Sequence, residues 1–383
     1  MTEKDKIPVS NKVLIWARES IAQTKNYVVE KTGINLRRLN QIESGEKHPD
    51  LDELKTLAKT YKRTLAVLLL HEPPIEKPLP KDRRTLDSKE LGNFHEKTIL
   101  AVRKARAFTQ SLIELKKDAG ISINKFKYSA NLKTNISEIS QKIRLDLNLN
   151  EVRQLENIND ILDTYIEKVE SLGIAVFQMS LTQDNLRGFS IVDEEIPIIG
   201  IKRGGEKSTS KIFTLFHELG HILLNTGGLC DLSIKTTSEV EKWCNAFAAE
   251  ILVPKSDLLN NHLVQKYRFE ENKIWAKKDL IELSNYFHVG PLAILRSLLT
   301  NKLTTSKYYN DKHEAWNKPT FGRSKNPEGR NIAKETIKEK GRNYISLAFL
   351  AYDKNRIDIK DLSDFLGIKL SYISKTRELL NSR

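Results

Sequence analysis

Residues 213–225 read FTLFHELGHILLN. Two imidazoles and a carboxylate stand inside one apolar run, and the flanks FTLF and ILL predict burial. Read as a helix, the stretch puts His217 and His221 four residues apart on one face, where both rings can reach a single metal ion. Glu218 follows the first histidine, so its carboxylate falls beside the metal's open position rather than on the metal. A zinc ion held there withdraws electron density from a bound water, and Glu218 can take the water's proton. The product is a hydroxide-like nucleophile for a peptide carbonyl. Without a metal, two buried imidazoles beside a carboxylate would be costly.

A third ligand is needed. EVEKWCNAFAAEILVP, residues 239–254, is a second helical pattern ended by Pro254. Glu241 and Asn245 are four apart and share a face. Glu241 can complete a two-His, one-Glu site, while Asn245 can hydrogen-bond a liganding ring and fix it. Glu250, on the same helix, is an alternative ligand, with Glu239 and Cys244 behind it; Cys244 reads better as a buried structural thiol. Ala246, Ala248 and Ala249 are small enough to let this helix approach the first, and NTGG at 225–228 supplies the stop and turn after it.

The paired stretches FTLFHELGHILL and EKWCNAFAAEILVP resemble the ImmA/IrrE family of zinc metallopeptidases, and the resemblance runs from GIAVFQMS to Pro254. It implies a zincin-like α+β fold, with Zn2+ on His217, His221 and Glu241 and with Glu218 as the catalytic base. Similar proteins often carry a further His shortly after the motif, where this chain has Asn225. A basic residue commonly precedes FTL, and here Lys211 stands two positions before Phe213. Zincin-like sites commonly hold substrate backbone on an edge strand, for which LRGFSIVD, residues 186–193, is the candidate.

The chain of 383 residues is long enough for two or three domains. With 39% hydrophobic and 30% charged residues it should be soluble and helix-rich. No run approaches the roughly 18 apolar residues of a membrane helix. The start, MTEKDKIPVSNKVLIW, has the wrong order for a secretory signal, and two cysteines, Cys230 and Cys244, suit a reducing cytoplasm. The expected organisation is mainly α with a small β-sheet. An all-α helix-turn-helix domain at 9–72 is followed by a Pro-rich linker at 73–89 and a helical connecting region at 90–170. The zincin-like metallopeptidase domain spans 171–300, with three strands in GIAVFQMS, RGFSIVD and IPIIGIKR. The polar stretch KYYNDKHEAWNKPTFGRSKNPEGRN then separates off a C-terminal helical module at 331–383.

VVEKTGINLRRLNQIESGEKHPDLDELKTLAKTYK contains a short helix, a turn at Gly33 and a second helix, with Val28, Ile34, Leu39 and Ile42 filling the space between helices. Residues 11–70 resemble the Cro/CI-like helix-turn-helix family. That resemblance implies a recognition helix at 35–42, with Leu36, Arg37 and Gln41 facing base edges and Arg38 or Lys31 on phosphate. It also implies an internal ion pair between Arg18 and Glu43. Val29 stands where these domains favour Ala, and Leu36 replaces the usual polar reader. The net charge of +13 suits a polyanion, with +8 in residues 301–383 against +3 in residues 1–80. At the C-terminus, Leu362, Gly367 and Ile373 repeat the offsets of Val28, Gly33 and Leu39; the two readings are a second helix-turn-helix and a small bundle packed on the peptidase, the latter being preferred.

The expected protein is a cytoplasmic, DNA-binding zinc endopeptidase of transcriptional regulation that cuts a regulatory protein such as a repressor. The alternative is a non-proteolytic transcription factor whose peptidase-like domain senses a metal, ligand or peptide. DNA and a protein substrate are the expected partners, without a membrane, and a homodimer would suit paired half-sites.

Overall fold

The computed structural model describes residues 6–82, 94–181, 186–230, 238–267, 273–316 and 331–382. The chain divides into two compact units, one of residues 1–79 with 88–103, the other of 80–87 with 104–383. Among the described residues no helix is long and apolar enough to cross a membrane.

The first unit is built from short capped helices. Asn11–Glu19, Lys25–Thr32, Leu36–Glu43 and Leu51–Thr60 bury Val13, Leu14, Val28, Leu39, Leu54 and Leu57 in one core. Thr24 and Asn35 cap the second and third helices by accepting from Tyr27 N and Arg38 N. Between them Gly33 takes φ 73°, a left-handed turn that any Cβ would strain. Asp50 and Glu53 form a reciprocal capping box on the fourth helix. Arg18 and Glu43 make the expected buried pair, with Nε–Oε1 at 2.7 Å and Nη2–Oε2 at 3.1 Å.

The second unit holds a mixed five-stranded sheet in the order β1-β5-β3-β4-β2: β1 Lys81–Asp82, β2 Ala175–Met179, β3 Gly188–Ile191, β4 Ile198–Lys202 and β5 Gly228–Cys230. β2 and β4 run parallel, and β3 is antiparallel to both of its neighbours. The three β-rich runs are thus strands. LRGFSIVD, however, is not an edge: β3 lies third of five, because the chain returns after residue 225 to lay β5 against it. Gly227 permits that return, since a Cβ there would come within 2.7 Å of the Ser190 carbonyl oxygen.

Alternation along the strands gives the sheet two faces. Val176, Ile199 and Ile201 join Ile212, Leu215, Leu219 and Phe247 in the main core, which is roofed by Ile158–Ser171, Ser208–Leu223 and Glu239–Leu252. On the opposite face Phe177 meets Phe108 edge-on at 5.4 Å. Residues 83–89 of the expected linker lie outside the described residues, and Lys81–Asp82 of it serve as β1.

One local expectation changes. The first part of the polar stretch is helical, Ser306–Trp316, because Tyr309 is buried and Tyr308 and Trp316 pack on the core. The remainder, 317–330, lies outside the described residues. At the C-terminus, Ile332–Lys340, Arg342–Asp353, Ile359–Leu366 and Ile373–Asn381 belong to the same unit as the sheet. Glu339 meets Lys104 at 2.7 Å there. The echo of the first unit is geometric as well: Gly367 has φ 66°, and Leu362 and Ile373 are buried. Yet Asp358 and Asp361 cap the helix Ile359–Leu366, where the first unit has Thr24. Carboxylates at that helix start repel phosphate.

Candidate metal centre

The helix Ser208–Leu223 carries the HELGH stretch, and every residue from Thr214 to Leu223 is buried. It stops where Asn225 turns left-handed, at φ 52°. His217, Glu218 and His221 are all 0% exposed. One helical turn brings the two rings to 4.9 Å between centroids, and their Nε2 atoms to 3.2 Å.

The second helix, Glu239–Leu252, approaches unusually closely. A Cβ at Gly220 would lie 3.2 Å from Cα, Cβ and Sγ of Cys244. Gly220 and the buried Cys244 therefore set the approach, with Ala248; Ala246 is exposed and Ala249 half-buried, so those two alanines do not make the contact expected of them. Glu241 is delivered into the gap, with Oε2 at 3.2 Å from His217 Nε2 and Oε1 at 3.3 Å from His221 Nε2. These three residues form a cluster whose ligand atoms all lie within 4.8 Å of one another.

The donor set fits a tetrahedral ion. With metal–ligand bonds of about 2.0–2.1 Å, ligand atoms on a tetrahedron stand roughly 3.3 Å apart. The protonation pattern fits too. His217 Nδ1 lies 3.1 Å from Asn245 Oδ1, and His221 Nδ1 lies 3.2 Å from Thr226 Oγ1, which itself donates to the His221 carbonyl at 3.4 Å. An amide oxygen accepts only, and the threonine proton is already used. Both Nδ1 atoms therefore carry hydrogen, and both Nε2 lone pairs face inward toward a carboxylate. Three acceptors converging in a buried space are balanced by protons or by a metal ion between them.

Glu218 projects from a different side of the helix, toward the sheet. A Cβ on Gly188 of β3 would lie 2.9 Å from its Oε1, so only glycine leaves room for the carboxylate between helix and strand. Glu250 instead accepts from Ser137 Oγ at 3.0 Å, and Glu239 is an exposed partner of Lys242; neither joins the cluster. Lys211 is buried and donates to Gln178 Oε1 at 3.1 Å. Thr226 is not among the sequence candidates. It lies outside both helices, and its only sequence signal is its place two residues after the apolar run.

In the first unit, Leu36 is 43% exposed and Arg37 is exposed at the start of the helix Leu36–Glu43. Gln41 donates to Glu46 at 2.9 Å. Arg38 departs from expectation. Its guanidinium grips Glu53 with contacts of 2.8 and 2.7 Å and the His48 carbonyl at 2.9 Å, so it ties the helix to the fourth one and is committed to the fold.

Residues 169–299 match the family model of the IrrE N-terminal-like domain, peptidase M78, and residues 24–68 match a helix-turn-helix model. The first match contains the whole His217, His221, Glu241 cluster, and the second contains both helices flanking Gly33. No curated protein matches the chain significantly. The IrrE-like domain is of a metallopeptidase type, and the helix-turn-helix is of a DNA-binding type.

Proposed function

We propose that the protein is a zinc-dependent endopeptidase that binds DNA and acts in transcriptional control by cutting a regulatory protein such as a repressor. The observation that carries this reading is the geometry of the cluster. Two lone-pair nitrogens and one carboxylate stand 3.2–3.3 Å apart, with Glu218 on the next residue of the same helix. His217, His221 and Glu241 would hold the zinc, Asn245 and Thr226 would orient the rings, and Glu218 would take and return the proton. The ion, when bound, supplies Lewis acidity toward water and a peptide carbonyl.

On the helix-turn-helix unit, Arg37, Gln41 and Leu36 are the residues proposed to meet base edges. Attachment to an operator would raise the local concentration of the peptidase around a repressor bound there. Comparing cleavage of the repressor with and without operator DNA tests that coupling, and equal rates would count against it.

A second reading is favoured by one observation. His217, Glu218 and His221 are fully buried, and β5 with β1 covers the outer edge of β3, where a substrate strand would add. A closed site of this kind suits a sensor of metal or peptide. Glu218→Gln separates the two readings: regulation that survives the substitution supports the sensor, and regulation lost with proteolysis supports the enzyme.

A further inference from the structure

Ser190 stands on β3 two residues beyond Gly188, and residues two apart on a strand share a face. That face is the one packed on the helix Ser208–Leu223. A Cβ at Gly188 would lie 2.7 Å from Thr214 Cγ2 and 2.9 Å from Glu218 Oε1. The strand register agrees. Gly188 pairs with Ile201 and Ser190 with Ile199, and both isoleucines join the core of Ile212, Leu215 and Leu219. Gln178, in register with Ile201, accepts from Lys211 of the same helix.

From the other side comes the segment that orients His221. Gly227 presses on the Ser190 carbonyl, at 2.7 Å from where its Cβ would be, and Thr226 just before it contacts His221 Nδ1. Ser190 is therefore enclosed between the carboxylate's strand contact and the ring's support, at 0% exposure. Among the described residues its Oγ has no hydrogen-bond partner. A buried hydroxyl without a partner is unfavourable, and alanine would occupy nearly the same space without that cost. The hydroxyl makes sense if it is used when Glu218 works.

We propose that Ser190 is a positioning residue for Glu218, its Oγ–H donating to the carboxylate and fixing the direction in which that carboxylate points. Like atoms two residues apart on a strand are separated by roughly 7 Å, and among the described residues Ser190 Oγ makes no hydrogen bond, so the proposed contact forms by rotation of the serine and the longer glutamate side chain. No covalent step is involved. The inference rests on Glu218 acting at the site, as proposed above.

Two measurements test it, and the first needs neither metal nor activity. In urea unfolding of the metal-free full chain, Ser190→Ala should shift the midpoint by different amounts in the wild-type and Glu218→Ala backgrounds. Equal shifts overturn the proposal. The second uses the zinc-loaded chain with fluorescein-labelled casein. Ser190→Ala should retain its zinc and its KM while kcat falls by about 10- to 100-fold, and Ser190→Thr, which keeps the hydroxyl, should restore kcat. An unchanged kcat in Ser190→Ala, or a loss that Ser190→Thr does not restore although zinc and folding are intact, also overturns it. If the wild-type chain leaves casein uncut, the unfolding cycle alone still decides the Ser190–Glu218 contact.

Discussion

Two buried polar clusters, one in each unit, join helices in the same way and mean different things. Arg18 and Glu43 connect the first and third helices of the first unit through a forked pair at 2.7 and 3.1 Å, and the Gln23 carbonyl takes a further guanidinium proton. Charge and hydrogen bonds close on themselves, so nothing further is required. His217, His221 and Glu241 also link two helices at 3.2–3.3 Å, but all three atoms at the centre are acceptors. The first cluster is complete without a guest, whereas the second is balanced only by protons or a metal. Burial of polar groups thus does not by itself mark a site; an unbalanced donor and acceptor count does.

The largest expected effect breaks the open cluster. His217→Ala and Glu241→Ala should each lower zinc from about one per chain to none by elemental analysis, because only three side chains hold the ion and the two that remain do not retain it. Next comes Glu218→Gln. Its zinc content should equal that of the wild type, while turnover of a cleaved protein falls by about 10²- to 10⁴-fold, the range typical of losing a general base.

For the closed cluster the readout is stability. Arg18→Ala should lower stability in denaturant unfolding by somewhat less than the roughly 3–5 kcal/mol of a fully unpaired buried charge, because Glu43 keeps Lys25 Nζ at 3.4 Å, whereas replacing both partners by apolar residues should cost far less. Zinc content should stay unchanged in both variants.

The smallest effect concerns Glu170, a carboxyl between the sheet and the C-terminal helices. Burial, with Glu167 adding repulsion, pushes it up to about 8 from an ordinary 4.5. Between those values the folded chain keeps a proton that the unfolded chain has lost. Stability should therefore be fullest below pH 4.5 and decline as pH rises toward 8. Glu170→Gln should flatten that slope and gain stability at pH 8. A parallel slope in the variant would sink the assignment.

Much of the site is legible in the sequence because helical spacing is local. His217 and His221 must share a face once FTLFHELGHILLN is helical, and the same spacing puts Glu241 with Asn245. The helix-turn-helix is legible for the same reason, through Gly33 and its flanking apolar positions. What escapes such a reading depends on chain segments distant in sequence. LRGFSIVD reads as a strand but cannot declare its neighbours, so nothing in it announces that β5 inserts beside it. Arg38 reads as a surface cation until Glu53, fifteen residues on, claims it. Ala246 and Ala249 read as the packing residues, although Gly220 against Cys244 makes the close contact.

By itself, then, the amino-acid order determined the helices, their caps, the three longer strands and which side chains could share a helical face, since all of these follow from backbone periodicity over a few residues. Only the tertiary structure decided that Glu241 closes on the two imidazoles, that Thr226 supports one of them, and that Gly188 lines the carboxylate of Glu218 on a strand that also buries Ser190. Those contacts are set by how two helices and a sheet fit together, and that fit is governed by shape and burial across the whole unit rather than by spacing along the chain.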